Sequence, residues 1–296
     1  MTADLETYPR RAAIYRSSDG IKIVGDELGP DKGPLVVLMH GGGQTRHSWS
    51  GAADHLAAAG YKVRNFDLRG HGDSDWSSAG AYSLDDRVDD LKAVMADHAG
   101  DVALVGASLG GATALHAVAT GLRVKGLVMV DIVPDPEEAG IDNIRAFMRS
   151  GFAGFADLEE AAEAVAAYNP DRPRPRDPSG LMKNLRQRDG RLHWHWDPRI
   201  LDRDNNMQKQ VRLSAEQMAA GNPCPTLVVR GMSSDVVSDA GIAAFRELLP
   251  ELEVHNVAGA GHMVAGDRND AFNDGVLAFL GRVLPINGEV AGCQWT

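Results

Sequence analysis

Ser108 lies in Gly106-Ala107-Ser108-Leu109-Gly110, and the composition around it suits nucleophilic chemistry. A serine hydroxyl attacks a carbonyl at neutral pH only when a base within hydrogen-bond reach takes its proton. Ten histidines are available, so position has to select one. His262, in Gly259-Ala260-Gly261-His262-Met263, sits on a glycine-rich loop between the last strand-like run and the last helix-like run. In a parallel α/β sheet, ligands bind at the carboxyl ends of the strands, where such a loop emerges. A neutral base also needs a carboxylate to hold its tautomer and to stabilise the imidazolium. Two candidates stay open: Asp235, after the run Thr226 to Val229, and Asp131, directly after Gly126 to Val130. Finally, His40-Gly41-Gly42-Gly43 follows Leu35 to Met39. Consecutive glycines bring backbone N–H groups close to a substrate oxygen, and Gly42 with Leu109 would form an oxyanion hole.

These residues act together only if strands and helices deliver them to one edge. Short β-rich runs recur at Leu35 to Met39, Tyr61 to Phe66, Val102 to Val105, Gly126 to Val130, Thr226 to Val229 and Leu252 to Val257. Their apolar character suits parallel strands buried on both faces. Helical stretches alternate with them: Ser48 to Ala59, Leu84 to His98, Leu109 to Thr120, Ala240 to Leu249 and Asn269 to Leu284. This alternation predicts an α/β fold, a mostly parallel central sheet flanked by helices. Ala12 to Tyr15 and Ile21 to Val24 are expected to add an antiparallel hairpin at its edge. Ser108 then falls on a sharp strand-to-helix turn. Small flanking residues relieve crowding there, and the hydroxyl projects at the positive end of the helix.

The alternation stops after Val130. Residues 134–222 are expected to be a strand-free helical cap inserted after the sixth strand, with 1–133 and 223–296 forming the core. Helices are expected at Ile141 to Met148, Leu158 to Ala167 and Gln208 to Ala220, and a stiff, proline-rich connector at 170–178. Within this insertion His193-Trp194-His195-Trp196 is the densest aromatic cluster. If extended, it puts the two tryptophans on one face and the two histidines on the other. One of these faces is expected to line the substrate pocket.

Taken together, the motifs resemble the α/β-hydrolase superfamily, in its serine-nucleophile form with a helical cap. The likeness extends to Asp67-Leu68-Arg69-Gly70-His71-Gly72-Asp73-Ser74, which is similar to a loop of that family. The resemblance implies a triad of Ser108, His262 and Asp235, because the family's usual order favours the acid on the later strand. It also implies a serine esterase that cleaves a small carboxylic ester through an acyl-enzyme, with no metal and no organic cofactor; Phe147, Met148, Phe152, Phe155, Trp194 and Trp196 in the insertion add the expectation that this ester is largely apolar. Lactone, carbon–carbon bond and peracid chemistry on the same triad are the alternatives, as is a hydrolase-fold receptor.

Composition narrows the partners. Thirty Lys and Arg against 41 Asp and Glu give a net charge of −11, which argues against nucleic acid, since phosphate backbones need a basic face. No apolar run approaches the roughly 20 residues a membrane span takes, and residues 1–16 carry no signal-peptide-like run, so a cytoplasmic enzyme of a small molecule is expected. Cys224 and Cys293 match no metal or disulfide spacing, which fits a reducing compartment.

Overall fold

The computed structural model describes residues 8–168, 177–262 and 269–286. An eight-stranded sheet runs through it in the order β1-β2-β4-β3-β5-β6-β9-β10. The strands are β1 (Arg11–Arg16), β2 (Lys22–Leu28), β3 (Leu35–Met39), β4 (Lys62–Phe66), β5 (Val102–Ala107), β6 (Gly126–Val130), β9 (Thr226–Gly231) and β10 (Glu253–Val257). The β1–β2 and β2–β4 pairings are antiparallel. All the others in this sheet are parallel. The expected edge hairpin is therefore present.

Apolar runs become central strands because both of their faces are covered. Along β3, Leu35, Val37 and Met39 join one core, whereas Val36 and Leu38 join the other. The first core is closed by α2 (Leu84–Met95), α3 (Leu109–Ala119), α6 (Met207–Gly221) and α7 (Asp239–Leu248). The second is closed by α1 (Ser50–Ala58) and α8 (Asn269–Val283). Each fully buried Val, Leu or Phe contributes roughly 1.5–3 kcal/mol from removal of its surface from water. Helix α2 begins at a capping box: Asp86 N–H donates to Ser83 Oγ, and the Asp86 carboxylate accepts from Ser83 N–H.

The segment between β6 and β9 carries α4 (Glu138–Ser150), α5 (Leu158–Tyr168) and α6. It is not free of strands, contrary to expectation. Leu185–Arg188 (β7) and Arg191–Trp194 (β8) form an antiparallel hairpin. Asp189 and Gly190 turn it with φ of 51° and 75°. An Asp-Gly pair accepts those positive angles, and that local signal makes this hairpin. The segment has its own apolar cluster, built on Met148, Phe155, Leu185, Trp194, Trp196, Ile200 and Leu201. Helix α6, in contrast, faces the main core through Val211, Ala215 and Met218. The proline-rich connector lies outside the described residues over 170–176.

Candidate active site

Ser108 stands between β5 and α3 with φ 44° and ψ −110°, a conformation that side chains rarely adopt. Its flanking glycines are sterically required. A Cβ at Gly106 would lie 2.3 Å from the Gly110 carbonyl carbon, and one at Gly110 would lie 2.3 Å from the Met39 carbonyl oxygen. The turn can thus close only with glycine at both places, which raises the serine above the sheet edge. The N–H of Ser108 donates to Val130 O (3.1 Å), tying the turn to the end of β6.

Asp131 is the next residue after β6, fully buried and also at positive φ, 50°. Its Oδ1 accepts from Gly231 N–H (3.1 Å), and its Oδ2 accepts from Ser234 Oγ (2.5 Å) and from His262 Nδ1 (2.7 Å). Three donors meet the need of a buried carboxylate for compensation. The expected partner of His262 was Asp235, and here the structure differs. Asp235 is exposed, and its Oδ2 accepts from Asn143 Nδ2 of α4 (3.0 Å). The reason is strand order. β6 lies between β5 and β9, so Asp131 emerges beside the serine turn. The histidine loop after β10 reaches it by crossing the end of β9. Gly231 permits the crossing: a Cβ there would meet Gly261 O at 2.2 Å and Ala260 O at 2.6 Å. Asp235 sits four residues beyond the end of β9, turned toward the inserted segment. The signal in the sequence was adjacency, since Asp131 has no residue between it and its strand.

The glycine loop after β3 is pinned at both ends. His40 Nδ1 bonds Gly41 O (2.8 Å), and its Nε2 accepts from Leu68 N–H (2.9 Å). Gly41 N–H donates to Gln44 Oε1 (3.0 Å), and Gly43 N–H donates to His71 Nε2 (3.2 Å). Among the described residues the N–H groups of Gly42 and Leu109 have no protein acceptor. For Leu109 this follows from its place at the start of α3, where the first N–H groups lack intrahelical partners.

A buried row of rings supports this loop. His40 and His71 have centroids 5.1 Å apart, His71 and His195 5.9 Å, and His195 and Trp196 5.2 Å. Burial pushes the pKa of His40 down, and that of His71 well down, with the neighbouring imidazoles adding to the effect on His71. Burial likewise lowers His195 to about 3. His195 Nδ1 accepts from Gly72 N–H at 2.7 Å, which links the inserted segment to the loop after β4. Sequence reasoning did not single out His71 for the site.

Two cavities meet at Ser108. One, of about 400 Å³, is lined by Gly42, Ser108, Tyr168, Trp194, Trp196 and His262 among others. The second, of about 370 Å³, is lined by Gly42, Ser108, Leu109, Ile144, Met148 and Val211 among others, and its remaining wall is mainly apolar. The tryptophan face of the aromatic cluster therefore lines a cavity, with the two indoles stacked at 4.9 Å. His193 and His195 line neither cavity. His195 instead points to Gly72, and the His193 ring lies beside Gly154. Among the described residues, no group of three or more His, Cys, Asp or Glu side chains is arranged to hold a metal ion. No described helix is long and apolar enough to cross a membrane.

The chain belongs to the α/β-hydrolase fold family, which it matches over residues 34–268. It is 30% identical over 258 residues to esterase Rv0045c of Mycobacterium tuberculosis, covering 83% of each chain. It is 31% identical over 237 residues to a 2-(acetamidomethylene)succinate hydrolase of Mesorhizobium japonicum, covering 78% of this chain and 82% of that one. The crystal structure of an E-2-(acetamidomethylene)succinate hydrolase superposes with a TM-score of 0.78 over 92% of this chain and 99% of that one, at 24% identity. The architecture of a mostly parallel sheet flanked by helices is thus shared across the family.

Proposed function

We propose that this protein is a serine hydrolase that cleaves a small, largely apolar carboxylic ester through an acyl-enzyme, with Ser108 as nucleophile, His262 as base and Asp131 as the acid that orients it. The observation that carries the reading is the 2.7 Å bond from His262 Nδ1 to Asp131, at a cavity that Ser108 also lines. With Nδ1 donating to the carboxylate, Nε2 is left with a lone pair for the serine proton. Similarity to an esterase over four-fifths of the chain supports the same reaction class.

In the first step Ser108 Oγ bonds to the carbonyl carbon while its proton passes to His262 Nε2. The carbonyl electron pair moves onto oxygen, facing the N–H groups of Gly42 and Leu109, which have no other protein acceptor. His262 then gives the proton to the departing alkoxide, and the acyl group stays on Ser108. Water then bonds to the acyl carbon while its proton passes to His262, and His262 returns that proton to Ser108 Oγ as the serine–acyl bond breaks and the acid leaves. The two cavities orient the ester. Because His262 lines only the tryptophan-walled one, the leaving alcohol lies there, and the acyl group occupies the apolar one beside Leu109 and Val211.

The test is a panel of p-nitrophenyl esters and lactones with wild type and Ser108→Ala. Loss of a serine nucleophile costs on the order of 10⁶ in kcat. A variant that retains a tenth of the wild-type turnover overturns the serine mechanism. Release of acid and alcohol from esters with no turnover of lactones separates the ester reading from the lactone one.

A further inference from the structure

We infer that His71 is a positioning residue for the oxyanion loop and that Trp196, from the inserted segment, completes its support. The inserted segment thereby contributes to the rate of the reaction as well as to the choice of substrate. This rests on the serine-hydrolase reading above and names what holds one part of that site.

Gly42 can offer its N–H to a substrate oxygen only if the peptide planes around it are fixed. A three-glycine loop has little stiffness of its own, since glycine loses more conformational freedom on ordering than any other residue. Two histidines replace that missing stiffness. His40 holds the carbonyl of Gly41, and His71 holds the N–H of Gly43 at 3.2 Å, so Gly42 is suspended between two pins. His71 can act as an acceptor because its tautomer is set from the other side. Nδ1 lies 3.2 Å from Arg69 O and donates to it, which leaves the lone pair on Nε2. The ring is fully buried, so no water can replace it as the acceptor.

The inserted segment closes over the same loop. A Cβ on Gly43 would lie 3.5 Å from two ring carbons of Trp196, and one on Gly42 would lie 3.5 Å from the sulfur of Met148. Both residues thus face the glycine loop, at the distance where a methyl added to it would make ordinary van der Waals contact. Gly43 is at φ 72°, where glycine is favoured. The residue before Trp196, His195, takes the N–H of Gly72, the neighbour of His71. The stretch His195-Trp196 of the inserted segment therefore faces the glycine loop and bonds the loop that carries its histidine pin.

A group that only positions an oxyanion donor acts mainly in the transition state, because negative charge on the oxygen develops there. His71→Phe removes the acceptor and keeps a ring. We expect kcat on a p-nitrophenyl acetate to fall by about 10- to 100-fold with KM changed less than about threefold, somewhat below the 10²–10³ seen when an oxyanion donor is deleted outright. His71→Gln, which can place an amide oxygen near the position of Nε2, should restore most of the loss. A boronic acid that forms a tetrahedral serine adduct should weaken in parallel with kcat across these variants. Trp196→Leu should lower kcat on methyl acetate, whose methanol leaving group is too small to draw on the tryptophan wall. Ser108→Ala run alongside separates two failures. If Ser108→Ala is active, the hydrolase reading itself is wrong. If Ser108→Ala is dead while His71→Phe keeps kcat within twofold, the positioning role is wrong and the hydrolase reading stands. Should His71→Phe fail to fold, Trp196→Leu decides: a fall in kcat at constant KM supports the proposal, and a change confined to KM overturns it.

Discussion

Among the described residues, two serine–histidine–aspartate clusters differ in almost every respect other than composition. In the first, Asp131 is fully buried and bonds His262 Nδ1, and Ser108 stands at a strained turn on a cavity wall. In the second, Asp85 is 80% exposed and bonds His116 Nε2 at 2.8 Å, while His116 Nδ1 lies 2.9 Å from Ser214 Oγ. Ser214 is buried in the middle of α6, and its hydroxyl donates to Gln210 O (2.8 Å) within the same helix. No substrate can reach it, and its proton is already committed. The second cluster links α2, α3 and α6 and so helps dock the end of the inserted segment onto the core. The residue types are therefore common property. What sets the first apart, and suits it to the proposed reaction, is a serine on the cavity wall, a histidine with one nitrogen held by a buried aspartate, and N–H groups with no protein acceptor beside them.

The largest effect should separate the two serines. Ser108→Ala is expected to lose ester hydrolysis by about 10⁶, whereas Ser214→Ala should keep kcat within a few-fold and lose about 1 kcal/mol of stability, the typical worth of one hydrogen bond. Equal losses of turnover in the two variants would erase the distinction.

Next come the aspartates. Asp131→Asn keeps shape but removes charge and favours the wrong imidazole tautomer, a change that costs about 10⁴ in a well-studied protease. Asp235→Asn should cost less than about tenfold, since Asp235 meets Asn143 and not His262. Measuring kcat for both variants on one ester checks this, and a greater loss at Asp235 would return the acid to the later strand.

A pH series sharpens the contrast from another side. His40, His71 and His195 are neutral and buried in the fold, with pKa values pushed below the ordinary histidine value. The unfolded chain takes up protons at these groups as pH falls through about 6.5, and the folded chain does so only at lower pH. Stability is therefore full above that value and is lost on the way down toward about 3, the value for His195. For that one group the loss amounts to at most roughly 5 kcal/mol across the whole window, at 1.36 kcal/mol per unit. Urea midpoints should drop steadily between neutral and mildly acid pH. A midpoint constant over that range would mean that these rings are charged or solvated.

The smallest effect concerns the surface cluster. His116→Gln should leave KM and kcat unchanged and lower stability by about 0.5–1.5 kcal/mol. A selective fall in kcat would show that this cluster is coupled to the site.

Much of this arrangement is legible from one-dimensional pattern. Buried strands declare themselves as short apolar runs, because both of their faces must be covered. Glycines at 106 and 110 mark the serine turn, because the backbones around them approach within 2.3–2.6 Å of where a Cβ would be. His262 is legible from its place after the last strand. The tryptophan face of the aromatic cluster also follows from strand alternation, although only packing could decide that this face, and not the histidine one, meets the cavity. The Asp-Gly turn of the hairpin at Asp189 and Gly190 was present in the sequence, yet the strand-poor composition around it concealed it.

Other features were decided by the tertiary structure alone. Chain order is compatible with either aspartate, and only the spatial order β5-β6-β9 puts Asp131 beside the serine turn. The aspartate that meets His262 is then chosen by which strand lies next to the serine turn, and that is settled by long-range pairing that no local signal encodes. The same holds for His71. It is one histidine of ten in the sequence, and its role comes from a bond to Gly43, 28 residues away. Local sequence thus determined which residue types stand at which turns, because steric demands act over a few bonds. The tertiary structure determined which of them meet, because hydrogen bonds between distant segments exist only after the sheet has set their order.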